Sequence, residues 1–95
     1  MAIVLVQDMD QASLEGYDQV NAKLGVDDDP PAGLIIHTAG QRENGKVRIV
    51  DVWESQEAWD RFREERLMPV VMEVMGEQAG PPQQEIYETH HVIRP

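Results

Sequence analysis

The 95-residue sequence has no cysteine, which excludes disulfides, thiolate metal ligands and a cysteine nucleophile. Basic residues are few: eight Lys and Arg stand against 18 Asp and Glu, a formal net charge of -10. A single-sign field of that size repels a phosphate backbone or an anionic bilayer, so neither nucleic acid nor membrane is an expected partner. Keeping a small protein in solution is reason enough for the acidity. Aromatics are scarce, two Trp, two Tyr and one Phe, so the position of each carries information. A long apolar run is also missing. Residues 1–6 are apolar, but Gln7 and Asp8 end the run, with no basic stretch before it and no cleavage site after it. It is neither a signal peptide nor a membrane span, and a cytoplasmic protein is expected.

What is present is an ordinary globular composition, 41% hydrophobic and 27% charged, too apolar for disorder. The length holds one domain, 1–95. A domain this small buries only about 60–65% of its unfolded surface, so it is marginally stable by itself.

Residues 2–6 read as a buried, β-branched strand. After a polar stretch in which Asp10 is the candidate N-cap, Leu14, Tyr17, Val20 and Leu24 recur as one stripe of an amphipathic helix. Gly25 stands where a C-cap glycine belongs, and three aspartates with Pro30 and Pro31 make the loop that follows. Residues 33–39 and 46–54 are the next two strands, joined through an Asn44-Gly45 hairpin turn. Ser55 caps a second helix whose apolar side is Ala58, Trp59, Phe62, Leu67, Val70, Val71 and Val74. Pro69 costs about 3 kcal/mol inside a helix but little as a first residue, so two pieces, 56–67 and 69–75, are expected with a bend between them. A loop over 76–82 and a last strand over 83–93 complete the chain.

The order β-α-β-β-α-β defines an α+β, ferredoxin-like fold: a four-stranded antiparallel sheet with two helices on one face. An isolated domain of this kind shows polar residues on its other face. Here Val47, Ile49 and Trp53 oppose Val50 and Val52, Leu34 and Ile36 oppose Ile35 and Ala39, and Val4 and Val6 oppose Ile3 and Leu5. Both faces are apolar. A second copy packed on the second face, a homodimeric barrel, is the expected cover.

With this order in hand, the segment Val50-Asp51-Val52-Trp53-Glu54-Ser55-Gln56-Glu57-Ala58-Trp59 acquires meaning. A strand ending in Trp-Glu-Ser and running into a capped helix resembles the antibiotic-biosynthesis-monooxygenase-like proteins of the dimeric α+β barrel superfamily. The resemblance implies a cleft between sheet and helices in each subunit. It also implies an activity range that includes cofactor-independent monooxygenases of aromatic quinols, heme-degrading enzymes, isomerases and stress-induced proteins. Heme-degrading members share an asparagine on the first strand and a ligating histidine. Here the first strand meets Gln7 and the second helix has no histidine, so heme is not an expected cofactor, and no other cofactor is implied.

The candidate catalytic residues are His37 and Asp51. His37 is an imidazole among Ile35, Ile36 and Ala39, suited to a general base by a pKa near 6.5, or to a plain hydrogen bond in the strand. His90 and His91 lie on the opposite edge strand, within reach of His37 only across a dimer. Two imidazoles without a carboxylate make an incomplete metal shell, so no metal site is expected. Asp51 shares a strand face with Ile49 and Trp53 and needs a partner, for which Arg61, Arg63 or Arg66 from the second helix are candidates; otherwise it is a base in a pocket. Trp53, Trp59, Phe62 and Tyr87 are candidate walls for an aromatic ligand or simply core, and Met72, beside Met68, is an adaptable wall for either. Two functions stay open: a cofactor-independent monooxygenase acting on a small apolar or aromatic molecule, or a non-enzymatic ligand-binding or stress-response protein of the same fold.

Overall fold

The computed structural model describes residues 1–9, 14–43, 45–75 and 83–95. Its strands are β1 (Ile3–Met9), β2 (Leu34–Gln41), β3 (Val47–Trp53) and β4 (Gln83–Glu88). Antiparallel ladders join them in the order β2-β3-β1-β4, the ferredoxin-like sheet. Gly25 (φ +66) closes the first helix, α1 (Leu14–Leu24), by donating its N–H to the Asn21 carbonyl at 3.1 Å. Gly45 (φ +82) serves the β2–β3 hairpin, where Arg42 N–H meets the Lys46 carbonyl at 2.8 Å. Asn44, the Asp10 cap and the 76–82 loop lie outside the described residues. No helix among those described is long and apolar enough to cross a membrane.

Two strand ends differ from expectation. β1 continues to Met9 because its polar residues find partners across the ladders. Gln7, opposite Gln84, donates to its Oε1 at 3.1 Å, and Asp8, opposite Arg48, is held by Nε and Nη2 at 2.7 and 2.9 Å. That pair of hydrogen bonds from Arg48 holds the Asp8 carboxyl below its ordinary pKa. β4 stops at Glu88, short of residue 93, because β1 runs out beside it. Glu88 faces Ile3, and Thr89 gives both its N–H and its hydroxyl to the Ala2 carbonyl.

A third difference sits inside β2. The β2–β3 register shifts between Leu34 and Ile36, so Leu34 lies opposite Trp53 while Ile36 lies opposite Val52. Strict alternation puts Leu34 and Ile36 on one face. The bulge separates them, sending Leu34, His37 and Ala39 to the helical side with Trp53, Asp51 and Ile49. The open face is graded. Ile36, Val52, Val4 and Tyr87 form an apolar row across all four strands, Thr38, Val50, Val6 and Glu85 a mixed row, and Gly40, Arg48, Asp8 and Gln83 a polar one. Ile36 is 54% and Tyr87 50% exposed there.

The second helical region is one continuous helix rather than two pieces. Helix α2 (Gln56–Phe62), capped by Ser55 Oγ accepting from Ala58 N–H at 3.1 Å, continues through a π-helical turn (Arg63–Leu67) into α3 (Met68–Met75). The junction residues Phe62, Arg63 and Met68 all keep helical φ and ψ. The wider π turn, in which Met68 N–H bonds to the Arg63 carbonyl, lies immediately before Pro69. It takes up the space that a proline ring needs against the carbonyl four residues back, so no break is required.

The core lies between this helix and the sheet. Ile3, Leu5, Trp53 and Trp59 are buried, with Leu34, Ala58, Phe62, Leu67 and Ile86 packed against them. The rings of Trp53, Trp59 and Phe62 stand 5.5 to 6.2 Å apart in tilted pairs, each pair adding about 1 kcal/mol beyond its buried area. Entry to β2 depends on Gly33, whose φ is +87 and whose carbonyl accepts Glu54 N–H at 2.8 Å. A Cβ there would lie 2.6 Å from Ala58 Cβ. Gly33→Ala should therefore lower stability by about 2 kcal/mol through backbone strain and forced displacement of α2. Urea unfolding measures this, and an unchanged midpoint would refute the close approach.

Candidate active site

The bulge brings His37 directly opposite Asp51 on the face covered by helices. Asp51 is only 3% exposed, so both carboxylate oxygens need donors. They have them: Oδ1 lies 2.6 Å from His37 Nδ1, and Oδ2 accepts the Trp53 indole N–H at 3.2 Å. Trp53 is two residues along the same strand and hence on the same face. None of Arg61, Arg63 and Arg66 reaches Asp51. Arg61 bonds Glu57 at 3.1 Å, Arg63 lies beside Asp60 at 3.5 Å, and Arg66 donates to the carbonyls of Leu24 and Asp29. The expected arginine partner is thus replaced by a histidine and an indole.

The other imidazole nitrogen, Nε2, lies 2.6 Å from the Tyr17 hydroxyl on α1. The two rings are nearly parallel, 13° apart. A carboxylate can only accept, so Nδ1 carries the hydrogen that points at Asp51. In the neutral imidazole Nε2 is then the acceptor, and the Tyr17 O–H donates to it. Trp53, Asp51, His37 and Tyr17 form one hydrogen-bonded row from core to helix. The carboxylate bonded to its ring raises the His37 pKa above the ordinary 6.5, against an opposing push from burial. Burial raises the Tyr17 phenol above 10, with the charges of Asp51, Asp27 and Asp18 adding to it, so its hydroxyl stays protonated.

This row opens on a cleft of about 1080 Å³ between sheet and helices, lined by Tyr17, His37, Asp51, Trp53, Trp59 and Phe62 among others. The Trp59 indole N–H is buried without an acceptor among the described residues. Five of the seven residues singled out from sequence thus share one cavity: His37, Asp51, Trp53, Trp59 and Phe62. The other two do not line it. Tyr87 faces Val4 on the open side of the sheet, and Met72, 49% exposed, looks outward while Met68 takes a place in the wall. His90 and His91 follow the end of β4, on the sheet edge opposite β2. Tyr17 was the residue missed, because in sequence it is one member of an apolar helical stripe.

Fold and cleft together match a group of solved structures. A candidate antibiotic biosynthesis monooxygenase from Caulobacter crescentus superposes with TM-score 0.73 at 14% identity, over 95% of this chain and 91% of that one. The fold is that of the antibiotic-biosynthesis-monooxygenase-like proteins. SnoaB, a cofactor-independent oxygenase from Streptomyces nogalater, matches in a mutant form with TM-score 0.68 at 13% identity, over 97% and 96% of the two chains. Rv0793 from Mycobacterium tuberculosis matches with TM-score 0.70 at 10% identity, over 99% and 100%. No protein-family model and no curated protein sequence matches the chain.

Within this fold the His37–Asp51 contact has a measurable signature. A raised pKa means that His37 contributes stability fully below pH 6.5 and loses it as pH rises through the folded value. NMR titration of the His37 ring should give a midpoint above 6.5, and Asp51→Asn should bring it down, since burial is then opposed only by the weaker pull of the Asp27 charge. A wild-type midpoint at or below 6.5 would contradict the pairing.

Proposed function

We propose that this chain, acting as a single 1–95 domain, is a cofactor-independent monooxygenase that oxidises a small polycyclic phenol or quinol bound in the cleft. The observation that carries the reading is the Tyr17–His37–Asp51–Trp53 row, an imidazole with a fixed tautomer at the wall of a cavity that Trp59 and Phe62 also line. The fold shared with SnoaB supports it, since that protein is a cofactor-independent oxygenase.

The chemistry needs a base before it needs oxygen. His37 takes the acidic proton of the substrate, and Asp51 stabilises the resulting imidazolium. The delocalised anion gives one electron to dioxygen, and the radical pair couples at a ring carbon bearing hydrogen. The imidazolium returns its proton to the peroxide. Cleavage of the O–O bond with loss of that carbon's hydrogen releases water and leaves a carbonyl. One oxygen atom enters the product and the other leaves as water.

Anthrone, whose enol tautomer is a tricyclic phenol, is a suitable probe. The wild type should consume one dioxygen per anthraquinone formed, without hydrogen peroxide. The rate should rise with pH through the His37 pKa, which Asp51, Tyr17 and Asp27 surround. His37→Ala should abolish oxygen uptake. Uptake that survives this change would remove His37 as the base, and anthrone bound without turnover by the wild type would leave a binding protein instead.

We further infer a cytoplasmic homodimer in which two graded sheet faces pack together, Ile36, Val52, Val4 and Tyr87 against their copies. Bare apolar area of this extent is unusual on a monomer. Light scattering across a dilution series should give a mass near twice 10.8 kDa, and a monomer at every concentration would overturn the dimer.

A further inference from the structure

Neither nitrogen of the His37 ring is open. Nδ1 is held by Asp51 and Nε2 by the Tyr17 hydroxyl, both at 2.6 Å. A substrate proton can therefore reach the imidazole only by displacing Tyr17 or by passing through it. Displacement would break a short hydrogen bond and pull apart a pair of nearly parallel rings whose centroids are 6.0 Å apart. Passage needs no such movement. A hydroxyl that donates one hydrogen bond keeps lone pairs to accept another, and Tyr17 lines the cleft.

We propose that Tyr17 is the catalytic residue that meets the substrate, relaying its proton to His37, and that the site therefore selects molecules with an acidic hydroxyl able to donate to the Tyr17 oxygen. The substrate O–H bond breaks as a new O–H bond forms at Tyr17. The original Tyr17 O–H breaks in the same event as the Nε2–H bond forms. Tyr17 is neutral before and after, the substrate leaves the step as an anion, and His37 ends as an imidazolium paired with Asp51. The raised pKa of Tyr17 suits a relay, which must never rest as a phenolate. A phenol-type substrate is favoured over an acid of the C–H type, because carbon makes a poor link in a chain of hydrogen bonds.

The inference rests on the base role given to His37 above, and the test separates the two. Under anaerobic conditions, where no oxygenation can follow, 2-naphthol should bind the wild type and show the absorption of its anion. Tyr17→Phe should bind it within about twofold of the wild-type affinity but with the anion band lost. Anthrone turnover should fall about a hundredfold in kcat, with KM nearly unchanged. The rate of the wild type in mixed light and heavy water should curve with deuterium content, as two protons in flight require, and the residual rate of the variant should vary linearly. If Tyr17→Phe keeps or raises kcat, or if the wild-type dependence is linear, the relay is refuted while the base role stands. If wild-type protein neither ionises 2-naphthol nor oxidises anthrone, the base role falls and the relay with it.

Discussion

A carboxylate sealed inside a sheet is the demand around which this protein is arranged. Asp51 sits at 3% exposure in β3, where an unsatisfied charge would cost several kcal/mol. Its two donors come from different sources. Trp53 reaches it along the strand and His37 across the ladder. The indole that bonds Asp51 also packs on Trp59 and Phe62, so the hydrophobic core is the back wall of the polar site. Loosening that core would free the carboxylate, and neutralising the carboxylate would leave an indole N–H and an imidazole without partners.

The helices complete the arrangement from the other side. α1 carries Tyr17 to the imidazole and is held against α3 by Lys23 and Glu73, 2.7 Å apart. Arg66, its guanidinium 5.6 Å over the Phe62 ring, ties the carbonyls of Leu24 and Asp29 to the π turn. A cation at the C-terminal end of α1 also suits the helix dipole. The hydroxyl of Tyr17 is thus positioned by contacts at the far end of its own helix, on a scaffold anchored to the same aromatic cluster as Asp51.

Element order, both helix caps at Ser55 and Gly25, and the two-sided apolarity of the sheet were legible in the residues, because capping and alternation are local signals. The bulge in β2 was not. Leu34, Ile35 and Ile36 are all β-branched or aliphatic, so nothing in their chemistry marks which one is extra. The ends of β1 and β4 were hidden for a related reason, since Gln7 and Asp8 persist in the strand only through partners forty or more residues away in sequence. His37 and Asp51 stood out because polar groups among strand apolar residues call for explanation. Their meeting depended on the bulge, and Tyr17 was hidden by a stripe that reads as core.

The π turn is in effect one surplus residue in an otherwise α-helical segment. An α-helix advances by about 100° per residue. The wide turn spreads that extra residue around the axis, so the residues after it keep the faces an uninterrupted α-helix would give them: Met68 and Val71 line the cleft and Glu73 meets Lys23. Closed up as plain α-helix with the same number of residues, the segment would swing everything after Leu67 by a quarter turn or more. The 56–75 segment can therefore lose one residue at the π turn and keep its faces, whereas a deletion elsewhere along it would turn Met68 and Val71 away from the cleft.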